Sequence, residues 1–281
     1  MSRNTVSKKN RTIAATTAAG VLVLSATLAA PVSVAQTAGA AGNTATVAGH
    51  GPKPTVVLIH GAFADASSWS SEVTQLEGDG YQVIAPAVPL RGLASDAAYI
   101  TSLVRSISGP VVLVGHSYGG AVATEVAASD PQQIKAIVYV AGFIPQAGEN
   151  VLQLSNQFPG SLLGPDTSYT VDFPGGTDLY IKPADFHTAF AADRTPAQAA
   201  EAAATQRPIS LAAASEPAAA SVPAGIPLYE MVAARDKMIP PAAERFMAQR
   251  AGATIITVNC AHDMPLSHPR AIVAVIERAA R

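Results

Sequence analysis

Cysteine is almost absent from this 281-residue chain, in which Cys260 stands alone. Without a second thiol there is no intramolecular disulfide, and without a Cys-x-x-Cys there is no zinc-ribbon site, so a stapled mini-fold and a zinc finger are both excluded. Charge is scarce too, at 14% of residues, and nearly balanced: 18 Lys+Arg against 20 Asp+Glu, for a formal net charge of −2. No segment gathers the surplus of cations that a phosphate backbone demands, so nucleic acid is not an expected partner. Apolar residues, by contrast, are plentiful. They make up 49% of the chain and give a mean hydropathy of +0.25, enough for a sizeable core and against wholesale disorder.

Residues 1–35 read as an export signal. Arg3, Lys8, Lys9 and Arg11 precede an uncharged apolar run from Ile13 to Ala30, and Ser33 and Ala35 are placed for cleavage before Gln36. A permanent membrane anchor is the competing reading, but the run is rich in Ala, Thr and Gly and therefore weakly hydrophobic. With no twin arginine and no cysteine to accept a lipid, the expectation is general secretion with no stable anchor after cleavage. Removing this segment takes away four basic residues and no acidic ones, leaving a more acidic protein. Residues 36–53, rich in Ala, Gly and Thr, read as a flexible lead-in.

From there, short β-branched runs alternate with helical patterns. Val56–Ile59, Gln82–Ile84, Val111–Val114, Ile137–Val140, Leu228–Val232 and Thr254–Val258 are the expected strands. Several are apolar at nearly every position, as strands buried on both faces of a parallel sheet must be. The pattern predicts an α/β fold of about six mostly parallel strands, with helices on both faces. Between 145 and 223 the rhythm fails: Gly/Pro turns, a short hairpin around Tyr169–Ile181 and an Ala-rich helix at Pro196–Ala204 replace it. A stretch that long is no connecting loop. It reads as a cap inserted into a core made of 54–144 and 224–281.

Gly115-His116-Ser117-Tyr118-Gly119 fits G-x-S-x-G between a strand and a helix. There the sharp turn strains the serine backbone, lifts its hydroxyl above the sheet and needs small flanking residues. The N–H of Tyr118 then opens a helix, where developing negative charge is stabilised. His60-Gly61-Ala62-Phe63 closes the first core strand, so the N–H of Ala62 can face the same oxyanion, with that of Phe63 as the alternative donor. An ordinary Gly-rich turn is the plainer reading of either motif.

A serine nucleophile needs a neutral histidine as base and a carboxylate to hold its tautomer. His262 follows the last strand and precedes the final helix, at the sheet edge where such sites sit. His268 competes with it but is better placed to begin that helix. His116 adjoins the serine but points elsewhere across the turn, His60 and His187 are expected to line the pocket, and His50 lies in the lead-in. Asp236, after the strand Leu228–Val232, is the expected acid, the alternative being a solvated turn acid paired with Lys237. Asp263 is too close in sequence to His262 to orient its ring. Cys260 is expected to be a small buried hydrophobe and not a second nucleophile.

Taken together, His60–Phe63, Gly115–Gly120, Asp236 and Cys260–His262 resemble the α/β-hydrolase fold family, and within it the small capped esterases similar to plant methylesterases and hydroxynitrile lyases. The resemblance covers roughly Thr55 to Arg281 and is strong in the core and weak in the cap. It implies a nucleophile at Ser117, an acid at Asp236, a base at His262 and oxyanion donors at Ala62 and Tyr118. The lyases of that group carry lysine directly after the histidine and threonine after the strand-end histidine, where this chain has Asp263 and Gly61. Dehalogenases and epoxide hydrolases of the fold use aspartate at the position of Ser117. The expectation is therefore a carboxylic-ester hydrolase that needs no cofactor and no metal and acts as a monomer or homodimer on a small-molecule ester. Phe63, Phe143, Phe186, His60 and His187 are expected around the substrate. Rival readings are a perhydrolase or cofactor-free haloperoxidase, a lactonase, an amidase, and a ligand-binding protein with a relic triad.

Overall fold

The structure is a computed structural model that describes residues 53–281. The export-signal reading of 1–35 and all but the last residue of the 36–53 lead-in fall outside the described residues. In chain order the core begins with β1 (Thr55–Ile59), α1 (Ser70–Gly78), β2 (Val83–Ile84), α2 (Leu93–Arg105), β3 (Val111–His116), α3 (Tyr118–Ser129) and β4 (Ile134–Val140). An insertion follows, made of α4 (Val151–Asn156), β5 (Ser168–Phe173), β6 (Gly176–Ile181), α5 (Pro183–Ala189), α6 (Pro196–Thr205), β7 (Ile209–Ser210) and α7 (Leu211–Ser215). The core resumes with β8 (Leu228–Ala233), α8 (Pro241–Ala251), β9 (Thr254–Val258), α9 (Met264–Ser267) and α10 (Pro269–Ala279).

The six core strands form one parallel sheet in the order β2-β1-β3-β4-β8-β9. Every residue of β1 and β3 is buried, because each strand alternates its side chains between two apolar layers. Val57, Ile59 and Leu113 join the layer under α2, α3 and α8, while Val56, Leu58, Val112 and Val114 join the layer under α1 and α10. Thr254–Val258 matches the sequence expectation at both ends, and the other five strands differ from it by one to three residues at one end. β2 holds only Val83 and Ile84, since an edge strand with one neighbour has little to extend it, whereas β4 starts three residues early at Ile134.

Within the insertion, β5 and β6 form the anticipated antiparallel hairpin, and β7 adds a third strand through Leu179–Ile209 and Asp178–Ser210. The Pro196 helix starts where expected because Thr195 and Gln198 make reciprocal cap hydrogen bonds around a proline at the first helical position.

The β3–α3 turn is the tightest place in the core. A Cβ at Gly119 would sit 2.3 Å from the Ile59 carbonyl oxygen, and one at Gly115 would sit 2.5 Å from that of Gly119. Both obstacles are backbone, which cannot swing aside. Gly119→Ala is therefore expected to destabilise the fold by about 3 kcal/mol or more. A urea titration that leaves the midpoint within error of the parent would contradict this.

Candidate active site

Ser117 occupies the turn between β3 and α3 with φ 53° and ψ −123°, a left-handed conformation that costs a serine on the order of 1–2 kcal/mol. Three backbone hydrogen bonds hold it there. Its N–H donates to Val140 at 3.2 Å, and its carbonyl accepts from Gly120 at 2.9 Å and Phe143 at 3.1 Å. Clearance on the other side comes from Gly61, where a Cβ would lie 2.7 Å from the Ser117 Cβ and 2.8 Å from the His116 carbonyl. Any side chain at this place would thus collide with the serine itself.

His262, in the turn after β9, and Asp236, in the turn after β8, are both buried and meet at 2.5 Å, Nδ1 to Oδ2. The other carboxylate oxygen, Oδ1, accepts from the N–H groups of Met238 at 2.6 Å and Ile239 at 2.8 Å. With Oδ1 engaged by two N–H groups, Asp236 accepts a hydrogen bond from His262 Nδ1–H through Oδ2, which leaves Nε2 with a free lone pair. Among the described residues neither that Nε2 nor the Ser117 hydroxyl has a hydrogen-bond partner. Bonds of this kind commonly close only around substrate.

His116 supports the pair from below. Its ring lies 4.9 Å from that of His262, centre to centre, and its Nε2–H donates to the His262 carbonyl at 3.0 Å. Burial, followed by the neighbouring His262, holds the His116 ring well below the usual histidine range, so it stays neutral. Phe190 packs edge-on against the His262 ring at 5.0 Å.

Two backbone N–H groups at the strand ends, those of Ala62 and Tyr118, lack acceptors among the described residues. The alternative donor is not free, because the N–H of Phe63 donates to the Arg207 carbonyl at 2.8 Å. Ala62, Tyr118 and Ser117 line one narrow cavity together with Phe63 and Phe143. Its far wall comes from the insertion and from the turn after Asp236, including Leu152, Leu179, Ile209 and Met238. Sequence reasoning overlooked these four: Leu152, Leu179 and Ile209 reach the cavity only through the folded insertion, and Met238 only through the turn after Asp236. The phenol of Tyr118 turns away and donates to the buried Asp96 at 2.9 Å, a pairing no motif signals.

Three expected lining residues lie elsewhere. His60 is fully buried in the backbone: its Nε2 accepts from Val88 and its Nδ1–H donates to Gly61, both at 2.9 Å. Phe186 is fully buried against Phe190, and the ring of His187 bonds the Arg194 carbonyl at 2.9 Å. His268 stands between α9 and α10 and bonds Ser267, away from Asp236. Asp263 is nearly buried, and that burial lifts its carboxyl to about 6 despite the nearby Arg194. Burial also pushes the Cys260 thiol up to about 12, which makes it a poor nucleophile. Cys260, His268 and Asp193 do converge, with their ligand atoms within 4.8 Å of one another. The Asp193 carboxylate, however, is already held by Arg235 and the Ala261 N–H, and the thiol keeps its proton, so the trio is poorly suited to a metal.

Residues 56–275 match the model of the alpha/beta hydrolase family. The chain belongs to that family. Among curated proteins it is 30% identical over 110 residues to a carbendazim-hydrolysing esterase of Nocardioides, covering 35% of this chain and 46% of the esterase. It is 32% identical over 103 residues to methylesterase 7 of Arabidopsis thaliana, covering 32% of this chain and 40% of that enzyme. In both cases the matched stretch spans less than half of the relative. Among solved structures, polyneuridine aldehyde esterase superposes with a TM-score of 0.68 at 19% identity, over 82% of this chain and all (100%) of its own. A pyrethroid hydrolase from Sphingobium faniae superposes with a TM-score of 0.67 at 20% identity, over 81% and 97%. At that identity the superpositions establish the α/β-hydrolase fold alone.

Proposed function

We propose that this chain is a serine hydrolase that cleaves carboxylic esters of small to medium apolar substrates. The observation that carries the reading is the 2.5 Å Asp236–His262 pair, together with a serine held at φ 53° and the N–H groups of Ala62 and Tyr118, which lack acceptors among the described residues. In this mechanism His262 Nε2 takes the hydroxyl proton as Ser117 Oγ attacks the ester carbonyl. Asp236 stabilises the imidazolium, and the N–H groups of Ala62 and Tyr118 hold the oxyanion. Collapse expels the alcohol with the proton that His262 gives back. Water then repeats the sequence on the acyl-enzyme and releases the acid.

The cavity walls set the substrate class. Apart from Ser117 and Ser155, its lining is apolar or aromatic, which suits hydrocarbon better than charge. The curated relatives include an esterase and a methylesterase, in keeping with this reading. Export by the segment 1–35 and a monomeric or homodimeric state belong to the same proposal. Among the described residues no helix is long and apolar enough to cross a membrane.

Hydrolysis of p-nitrophenyl esters of increasing acyl length tests the proposal. Turnover is expected to peak at a short or medium chain and to fall at least roughly tenfold once the acyl group outgrows the narrow apolar cavity. Equal rates at every length, or no turnover of any ester, would contradict it.

A further inference from the structure

Helix α3 opens Tyr118-Gly119-Gly120, so Tyr118 supplies the only side chain among its first three residues. Its phenol runs back to Asp96, in the first turn of α2. Both residues are buried, and no ion pair reaches Asp96 among the described residues. Burying a carboxyl away from any cation costs free energy that an apolar residue in its place would not. Each Asp96 oxygen takes one hydrogen bond. Oδ2 accepts from the Tyr118 hydroxyl at 2.9 Å, and Oδ1 accepts from the Arg91 N–H at 3.3 Å.

The Arg91 bond ties Asp96 to the insertion. Leu90, just before it, is held left-handed at φ 61°. The Leu90 carbonyl accepts from the Ser210 N–H at 3.0 Å, and the Arg91 carbonyl accepts from the Ser210 hydroxyl at 2.9 Å. Ser210 lies in β7 opposite Asp178 of β6, whose carboxylate pairs with the Arg91 guanidinium. The residues next to these two, Leu179 and Ile209, belong to the cavity wall. A continuous run of polar contacts thus joins that wall to the first residue of α3. We propose that Asp96 is a positioning residue, which anchors the Tyr118 phenol to the Leu90–Arg91 turn and so aims the Tyr118 N–H at the oxyanion. The proposal rests on reading Tyr118 as an oxyanion donor beside Ser117.

The direction of that N–H depends on where the first turn of α3 sits. Gly119 and Gly120 let the turn approach Ile59 and Phe143 closely, yet neither can hold it by a side chain. The hydrogen bond at the far end of Tyr118 supplies the lateral hold. An oxyanion donor acts only within a narrow range of distance and direction, so losing this hold is felt in the transition state and not in the bound ester.

Three variants test the anchor. Tyr118→Phe removes one oxygen and keeps the bond between Asp96 and Arg91, whereas Asp96→Ala removes both bonds. Asp96→Asn restores them, its oxygen accepting from Arg91 and its NH2 donating to the phenol oxygen. Steady-state kinetics on a p-nitrophenyl ester are read beside inhibition by an alkyl trifluoromethyl ketone. Ser117 Oγ adds to the carbonyl carbon of that probe, the hydroxyl proton passes to His262, and the carbonyl oxygen becomes the oxyanion. Asp96→Ala and Tyr118→Phe should each lower kcat by roughly tenfold with KM nearly unchanged, and weaken the ketone by the same factor. Asp96→Asn should stay within about threefold of the parent in both. The backbone N–H resonances of Tyr118 and Gly119, which need no turnover, should move in the first two variants and return in the third. A Tyr118→Phe protein within about twofold of the parent in kcat and ketone inhibition, or a loss confined to KM, would overturn the proposal even where Asp96→Ala fails to fold. If the parent engages neither ester nor ketone but the resonances behave as described, the hydrolase reading fails and the anchoring of Tyr118 stands.

Discussion

Ser117→Ala is expected to lower kcat for ester hydrolysis on the order of 10⁶-fold, about 8 kcal/mol of barrier, while KM changes little. The residue holds a strained φ of 53°, and in the proposed mechanism its hydroxyl is the attacking group. Alanine keeps the backbone, the two free N–H groups and the cavity, so the variant should fold and still bind ester. What it loses is the atom that forms the acyl-enzyme. A residual rate above water of some 10³-fold would be the share of the oxyanion donors and the bound geometry. Steady-state kinetics with the parent and variant purified side by side give the number, and a loss of less than about a hundredfold would remove Ser117 from the mechanism.

Asp236→Asn should be nearly as damaging to rate, with a loss of about 10⁴ in kcat, yet should leave the fold almost untouched. The reason lies in the two N–H groups of Met238 and Ile239, which both donate to Oδ1. They require an oxygen there, so the asparagine must turn its NH2 toward His262. A donor facing Nδ1 forces the imidazole to carry its proton on Nε2, where it cannot accept the serine proton. The pH profile of the remaining activity, together with a thermal melt, separates this from unfolding. A variant that melts as the parent does but loses less than tenfold in kcat would show that tautomer control is not the role of Asp236.

The sheet could be read from the sequence because strands buried on both faces leave a strong trace: β3, β8 and β9 begin at the expected residues. Ser117, Asp236 and His262 could be singled out as candidates because each follows a core strand, and strand ends of a parallel sheet gather along one edge. The pocket was not legible in this way. His60, Phe186 and His187 were reasonable choices by type and position, but a side chain's neighbours depend on how the insertion settles on the core. β7 went unnoticed because two residues carry no period.

The most direct check of the proposed chemistry is to mix the protein with a p-nitrophenyl ester in the cavity's size range, quench with acid within the first turnover, and map the acyl group by peptide mass. The mechanism requires the added mass on the peptide containing Ser117, appearing with the burst of nitrophenol and decaying at the steady-state rate. An acyl group on any other residue, or a full burst of nitrophenol with the Ser117 peptide unmodified throughout, would contradict it.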